Sequence, residues 1–225
     1  NRDLGLTRAH HLVLSYEHSL PGSWRVKPEL YYQSLFDVPV NRNARDAFSM
    51  LNVVEGFVGE ILTNQGKGRN YGAELTVEKF LTNGFYFLLS SSLFQSEYQG
   101  SDAVWRHTRF NSNFINSLVT GKEWNWDRGG RKSRTFGINL KLTYMGGLRE
   151  TPIDLATSIE KGRTIRHEER AFEERMPDYF RLDTGFKIKR NYERLTTTLA
   201  LDIQNTTNRE NIFGRYYDDK SKTIK

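Results

Sequence analysis

The sequence predicts an all-β fold, an antiparallel up-and-down meander of about eight strands forming one domain over residues 1–225. Apolar and polar residues alternate with period two along much of the chain, as in strands that have one apolar and one solvated face. Short and long connections follow one another in strict alternation, and we find no helical pattern of comparable length. The composition, 37% hydrophobic and 13% aromatic, is typical of an ordered chain rather than a disordered one.

The strands differ in how clearly they alternate. In residues 71–78 the odd positions are Tyr, Ala, Leu and Val, and the even positions are Gly, Glu, Thr and Glu. The same division predicts strands at 135–144, 179–189 and 195–204, and weaker alternation predicts strands at 11–20, 24–36, 85–98 and 111–124. Because proline cannot donate to a strand ladder, Pro28 predicts an edge strand or a bulge.

The connections divide into two kinds. Short links are predicted at 21–23, 82–84, 127–132 and 190–194, and all but the last carry hairpin turn chemistry, since Gly and Asn accept the positive φ of tight reversals. Long links are predicted at 37–66, 99–108 and 145–177, with another beginning after 206. In a meander, this order gathers the short turns at one end of the sheet and the long links at the other.

This sorting of links is typical of bacterial outer-membrane barrels, which have short periplasmic turns and long outer loops. Aromatic residues also lie near strand ends: Tyr71, Tyr144 and Phe180 toward the long links, and Trp24, Phe85, Trp124, Trp126 and Phe136 toward the turns. Such positions are typical of two interfacial girdles, although aromatics also favour strands in general. No run approaches the ~18 apolar residues of a transmembrane helix.

Four segments carry a family resemblance. They read GRNYGAELTVEK (68–79), NGFYFLLS (83–90), PDYFRLD (177–183) and LDIQNTTNRENIF (201–213). Their sequence and order resemble the barrel of TonB-dependent outer-membrane receptors, especially those of Bacteroidota. The resemblance implies an open, carboxyl-proximal segment of a 22-stranded transmembrane β-barrel, and we expect the plug domain, the TonB box and the last strand to lie outside this chain.

The same resemblance implies the function, a receptor in the bacterial cell outer membrane that takes up a nutrient by TonB-dependent active transport. Siderophores, cobalamin, glycans and peptides are all carried by this family, and the residues quoted do not choose among them. The implied partners are outer-membrane lipid and lipopolysaccharide, the receptor's own plug domain, the TonB complex and the imported ligand. Nucleic acid is not expected as a partner, because the net charge of +6 is scattered among acids.

The candidate site is the polar face of the strands, which we expect to point into the barrel lumen. A charge on the lipid side at the bilayer midplane costs roughly 2 to 4 kcal/mol, so charged positions belong on the lumen side. The candidates are Glu74, Thr76, Glu78, Thr196, Thr198, Asp202 and Gln204. The plain alternative is that these are solvated lumen residues without a ligand role.

Catalysis, metal binding and cofactors are not expected. His10 and His11 are adjacent and would point to opposite faces of a strand, and His167 begins an H-E-x-x-H-like run without its second His. The charged residues of link 145–177 suggest a salt-bridged loop more strongly than a cation site. Two other classes stay open: a small self-contained outer-membrane barrel, as a pore or lipid-acting hydrolase, and a soluble β-sandwich binding module.

Overall fold

A computed structural model of the chain describes residues 1–54, 57–127 and 133–225. Strands make up 58% and helices 6% of it, so the predicted all-β class is confirmed. The strands are β1 (Arg8–Ser15), β2 (His18–Leu20), β3 (Trp24–Asn41), β4 (Leu62–Thr82), β5 (Phe85–Gln99), β6 (Trp105–His107), β7 (Phe114–Asp127), β8 (Ser133–Met145), β9 (Arg149–Glu150), β10 (Glu174–Arg175), β11 (Tyr179–Asn191), β12 (Thr196–Ile203), β13 (Tyr217–Asp218) and β14 (Thr223–Ile224). One helix, α1 (Leu155–Lys161), and two 3-10 turns, Met50–Asn52 and Glu168–Arg170, lie in the long links.

One large antiparallel sheet organises the molecule. Its order is β1-β3-β4-β5-β7-β8-β11-β12, with β2 also beside β3 and β6 also beside β5. Each strand of this path pairs with the next one along it, which is the predicted meander. In the described residues the path is open, because β1 and β12 are not hydrogen-bonded to each other.

Pro28 corrects one expectation. It lies in β3, which is the second strand of the path and has neighbours on both sides, rather than in an edge strand or at a bulge. The edge strand instead breaks opposite it: β1 ends where Ser15 faces Glu29, and β2 begins where His18 faces Val26. Between them the N–H of Tyr16 donates to the Pro28 carbonyl at 3.1 Å. Pro28 has no N–H, so it cannot donate a hydrogen bond back to β1.

The short turns lie at one end of the sheet, called here the turn rim. Asn83 and Gly84 join β4 to β5 with φ of 52° and 74°, the paired positive angles of a tight hairpin turn. The link from β11 to β12 closes without glycine, through the N–H of Tyr192 donating to the Leu195 carbonyl at 2.8 Å. The predicted turn at 127–132, with its Gly pair, falls on residues 128–132, outside the described part of the chain.

The long links, at the opposite loop rim, differ in extent from the prediction. The first covers only 42–61, because β3 and β4 continue to pair beyond two register shifts that follow Leu35 and Val38. Asp37 takes a φ of 56° at this irregularity, and a side chain at Gly66 would lie 2.3 Å from Val40 Cγ1. The other long links contain short elements that period-two reading did not predict, namely β6, β9, α1, β10 and the β13–β14 hairpin.

Buried side chains collect at the loop rim. With the single exception of Thr135, the buried side chains of the described residues belong to the long links or to the strand ends beside them. Val38, Val40 and Tyr98 are 0% exposed. The long links therefore form a packed cap on the sheet, while both faces of the sheet body remain open.

Candidate functional site: two sheet faces and a cavity in the loop cap

The ladder register places apolar residues from all eight path strands on one side, while Val13, Leu88, Phe94, Ile115 and Val119 lie on the other. Leu14 faces Leu30, and the row continues through Ala73, Leu93 and Phe114. A second row runs from Trp124 through Phe136 and Ile188 to Leu199. We call this side the apolar face.

The apolar face is uncovered. Leu12 is 73% exposed, Leu199 70% and Leu93 62%, and Leu75 and Leu201 are exposed as well. In the described residues no second sheet or helical layer packs against this face, since the remaining elements lie in the loop cap. A sheet in water normally buries its apolar side.

The opposite side is the polar face, and it carries the predicted candidate residues. On β4, Glu74, Thr76 and Glu78 face Glu29, Lys27 and Arg25 of β3. Glu78 forms an ion pair with Arg25, Lys27 pairs with Glu29 at 3.0 Å, and Glu74 accepts a hydrogen bond from Ser92 Oγ at 3.3 Å. Glu78 thus has an ion-pair partner and Glu74 a hydrogen-bond partner on the neighbouring strands.

The candidates on and just after β12, at the far edge of the sheet, form a separate group. Thr196, Thr198 and Asp202 lie on β12 and face Asn191, Lys189 and Gly185, whereas Gln204 follows the end of β12 and has no ladder partner. Five strand spacings separate β4 from β12, about 24 Å along the sheet. The structure thus places the two groups on one face and does not bring them together into one site.

A cavity that sequence reasoning missed lies in the loop cap. Its volume is about 580 Å³, within the usual range of ligand sites. Its walls come from the first long link, the β5–β6 region and the third long link. We call it the loop cavity, and its lining residues are Arg45, Asp46, Ala47, Phe48, Ser49, Asn52, Val53, Glu60, Tyr98, Asp102, Arg106, Glu168, Glu169, Ala171 and Phe172.

The charged groups of the loop cavity are mainly acidic. Five lining residues carry carboxylates and two carry guanidinium groups. Arg106 is held by Asp102 through two contacts, at 2.7 and 3.0 Å, so one of the two cations is already neutralised. Burial by itself would raise the pKa of Asp102, but the bonds from Arg106 and from the Val104 N–H hold that pKa below its usual value.

Glu168 behaves differently from Asp102. Loss of solvent raises the pKa of its carboxyl group; Arg166 opposes this, and the nearby carboxylates of Asp46 and Glu169 add to it. Within the described residues, Glu168 takes part in no hydrogen bond or ion pair, whereas Glu169 contacts His167 Nδ1 at 3.1 Å. Glu168 is therefore a carboxylate at the cavity without a protein partner there.

Two lining residues hold a buried polar atom without a hydrogen-bond partner among the described residues. They are the Tyr98 hydroxyl and the Asn52 Nδ2, on residues that are 0% and 8% exposed. Asn52 Oδ1 accepts from the Arg109 N–H at 3.0 Å, which fixes the amide so that Nδ2 is the free end. Buried donors are usually satisfied, so both call for an explanation.

Phe172 and Phe48 supply half-buried aromatic rings to the cavity. Phe172 packs edge-on against Tyr98 with ring centroids 6.1 Å apart, and it adopts a φ of 58°, which is unusual for a bulky residue. The N–H of Phe48 donates to Asp46 Oδ1 at 2.7 Å, which holds both residues in one tight turn.

Hydrogen bonds and ion pairs join the segments of the loop cap to one another. Arg149 donates to the carbonyl groups of Asn111 and Glu173 at 3.2 Å each, joining the second and third long links. Arg215 contacts both Glu150 at 3.2 Å and Glu174 at 3.3 Å, which ties the carboxyl-terminal segment to the third link. The salt-bridged loop predicted for residues 145–177 is confirmed in this respect.

None of the five histidines lines the loop cavity, although His107 and His167 are the sequence neighbours of the lining residues Arg106 and Glu168. His10 faces Ser34 and His11 faces Gln33, so the two lie on opposite faces of β1 as expected. Among residues 1–54, 57–127 and 133–225, no cluster of three or more His, Asp or Glu side chains has the arrangement of a metal site.

Comparisons with protein-family models, with curated proteins and with solved structures returned no match for this chain. None of the helices in the described part of the chain is long and apolar enough to cross a bilayer.

Proposed function

We propose that this chain is the membrane-spanning sector of an outer-membrane receptor barrel of the TonB-dependent type, which takes up a nutrient across the bacterial outer membrane. The observation that carries the proposal is the open, single-layered sheet with an exposed apolar face. Water is an unfavourable environment for so large an apolar surface, whereas the hydrocarbon of a bilayer covers it without loss.

Strand length and aromatic placement support the membrane assignment. β4, β5, β7 and β8 contain 21, 15, 14 and 13 residues, more than the ~9 to 11 that a tilted strand needs to cross a bilayer. On the apolar face, Trp124 packs on Phe136 near the turn rim at 5.8 Å, and Tyr144 packs on Phe180 near the loop rim at 6.3 Å. Eight residues separate Phe136 from Tyr144, about 20 Å of depth for a strand tilted by ~40°.

The free edges support a place within a larger barrel. In a bilayer, each unpaired strand amide or carbonyl costs several kcal/mol, so β1 and β12 need further strands beside them. The 22-stranded barrel that the sequence resembles supplies such strands. A self-contained eight-stranded cylinder and a β-sandwich receive less support, because the path is open and Leu75, Leu199 and Leu201 lack a second layer.

Surface labelling tests location and orientation together. The chain contains no cysteine, so a single introduced cysteine reports one position. In intact bacterial cells that produce the protein, a membrane-impermeant maleimide should label Arg45→Cys in the first long link. It should label the matched turn variant Glu193→Cys only after the outer membrane is permeabilised. Equal labelling of both in intact cells, or recovery of the protein outside the outer-membrane fraction, would contradict the proposal.

Uptake tests the transport part. Cells that carry the gene should accumulate one of the candidate nutrients in iron-poor or glycan-limited medium, and this accumulation should stop when the TonB protein is removed. Uptake that persists without TonB would favour a passive pore instead.

A further inference from the structure

We infer that the loop cavity binds an organic cation, specifically a basic peptide that presents an ammonium or guanidinium group next to a backbone carbonyl. This deepens the proposed function, on which its role in capturing a nutrient at the outer mouth rests. The inference stands on the cavity, its excess of carboxylates and two unsatisfied donors in its wall.

The charge of the cavity selects against anions. Its carboxylates outnumber its guanidinium groups by three, and Arg106 is already paired with Asp102. An anionic ligand would find only Arg45 as an unpaired cation among the described lining residues, and Arg45 is exposed, as are Glu60, Glu168 and Glu169. A ligand cation is attracted by the same field and gains an unpaired carboxylate, that of Glu168.

The aromatic rings add a second preference for a cation. Phe48 and Phe172 are half-buried on the cavity wall, and the face of an aromatic ring attracts ammonium and guanidinium groups. Ring faces and a carboxylate together favour an organic cation with an apolar stem, such as a lysine or arginine side chain, because the stem can lie along the rings.

The unsatisfied donors point to the rest of the ligand. Tyr98 Oη and Asn52 Nδ2 each lack an acceptor, and both are covered in the free protein. Peptide carbonyl groups that reach these two atoms would accept from them and satisfy their hydrogen-bonding capacity. A peptide backbone supplies these oxygens at a fixed short distance from its side-chain charges.

Titration calorimetry on the purified full chain in detergent tests the inference with four probes: trilysine, trialanine, triglutamate and maltotriose. Trilysine should bind, more weakly at high salt than at low salt, and the other three should bind at least tenfold more weakly or not at all. Glu168→Gln should weaken trilysine binding about tenfold, since it removes the free carboxylate. Glu193→Gln, at the turn rim, should leave the affinity unchanged.

Tyr98→Phe separates the carbonyl-binding part from the charge. It should lower the affinity for trilysine several-fold while the thermal midpoint of the free protein is kept or raised, because it removes only the unsatisfied hydroxyl. The inference would be overturned if maltotriose bound as tightly as trilysine. It would also be overturned if neither Glu168→Gln nor Tyr98→Phe changed the affinity for trilysine.

The test is independent of the membrane proposal. Trilysine binding together with failed surface labelling would leave the cavity assignment standing and reject the receptor. Correct labelling without trilysine binding would reject only the cavity assignment.

Discussion

An arginine at Leu140 is expected to destabilise the protein in a bilayer by about 2 to 4 kcal/mol, the range measured for a lipid-facing arginine near the membrane midplane. Leu140 lies on the apolar face, is 38% exposed, and pairs with Thr120 and Thr184 on the neighbouring strands. No acidic residue lies opposite it in either ladder. In the proposed membrane-spanning sector, the new charge would therefore meet hydrocarbon rather than a partner.

The depth of Leu140 follows from its position in β8. It lies seven residues after the start at Ser133 and five before the end at Met145. With a rise of ~3.3 Å per residue and a tilt of ~40°, these counts place it about 18 Å and 13 Å from the two strand ends. In the proposed membrane-spanning sector, Leu140 would thus lie near the middle of the bilayer, where the penalty is greatest.

Asn139 provides the matched control. It is the preceding residue on the same strand, and it faces the polar side, where it pairs with Gly121 and Gly185. Asn139→Arg should change the stability by less than about 1 kcal/mol. Reversible denaturant unfolding in phosphatidylcholine vesicles, followed by the fluorescence of the four tryptophans, measures both variants. Equal losses for Leu140→Arg and Asn139→Arg would refute the assignment of the two faces.

Four further predictions concern the turns, the cavity and the loop cap. Gly84→Ala should destabilise the protein by more than about 1 kcal/mol, because Gly84 has a φ of 74° and a Cβ there would lie 2.1 Å from the Glu123 carbonyl oxygen. The control Gly59→Ala should leave the stability unchanged in the same unfolding assay, because no atom lies near a Cβ at that position. Tyr98→Phe should raise the stability by about 1 kcal/mol or leave it unchanged, because the buried hydroxyl has no partner; a loss above that value would mean that the hydroxyl is satisfied. The folded chain raises the pKa of Glu168, mainly through loss of solvent, so this carboxyl group binds its proton more tightly in the folded state than in the unfolded state. The stability that this protonation contributes is present at low pH and is lost as the pH rises through the raised pKa. Glu168→Gln should therefore reduce the fall in thermal midpoint that the protein shows just above the ordinary carboxyl range. Asp154→Ala should increase amide hydrogen exchange in α1 with a local loss of about 1 kcal/mol, since Asp154 Oδ1 accepts from the Thr157 N–H at 2.9 Å; unchanged exchange would show that the cap is dispensable.

The sequence predicts the strands well where one local rule acts alone. Alternation at residues 71–78 assigns Leu75 and Thr76 to opposite faces, and the ladder register confirms this division. The Asn83-Gly84 turn follows from the φ angles that these residues accept. Both features depend on neighbours in sequence, so a single chain contains the whole signal.

Prediction fails where distant segments decide the structure. Pro28 lies in an interior strand because the edge strand breaks opposite it, and no pattern near Pro28 reveals what happens at Tyr16. The pairing of β3 with β4 continues past Asp37 because Gly66, which has no side chain, lets Val40 approach closely. Gly66 and Val40 are on different strands, so this contact cannot be read from either segment alone.

The loop cavity was missed for the same reason. Asp46, Tyr98 and Glu168 come from three separate parts of the chain, and only the packed loop cap brings them together. The strand pattern could not single out Tyr98, because Leu88 and Phe94 are bulky residues at polar-face positions of the same strand.

The most direct test of the central claim, that the apolar face meets lipid and the polar face meets water, is lipid quenching of single-cysteine variants labelled with a small fluorophore in vesicles. Leu75→Cys and Thr76→Cys form one adjacent pair on opposite faces, and Leu199→Cys and Thr198→Cys form another. We predict strong quenching by brominated lipid at positions 75 and 199 and little at 76 and 198. Equal quenching within each pair, or quenching confined to 76 and 198, would contradict the account.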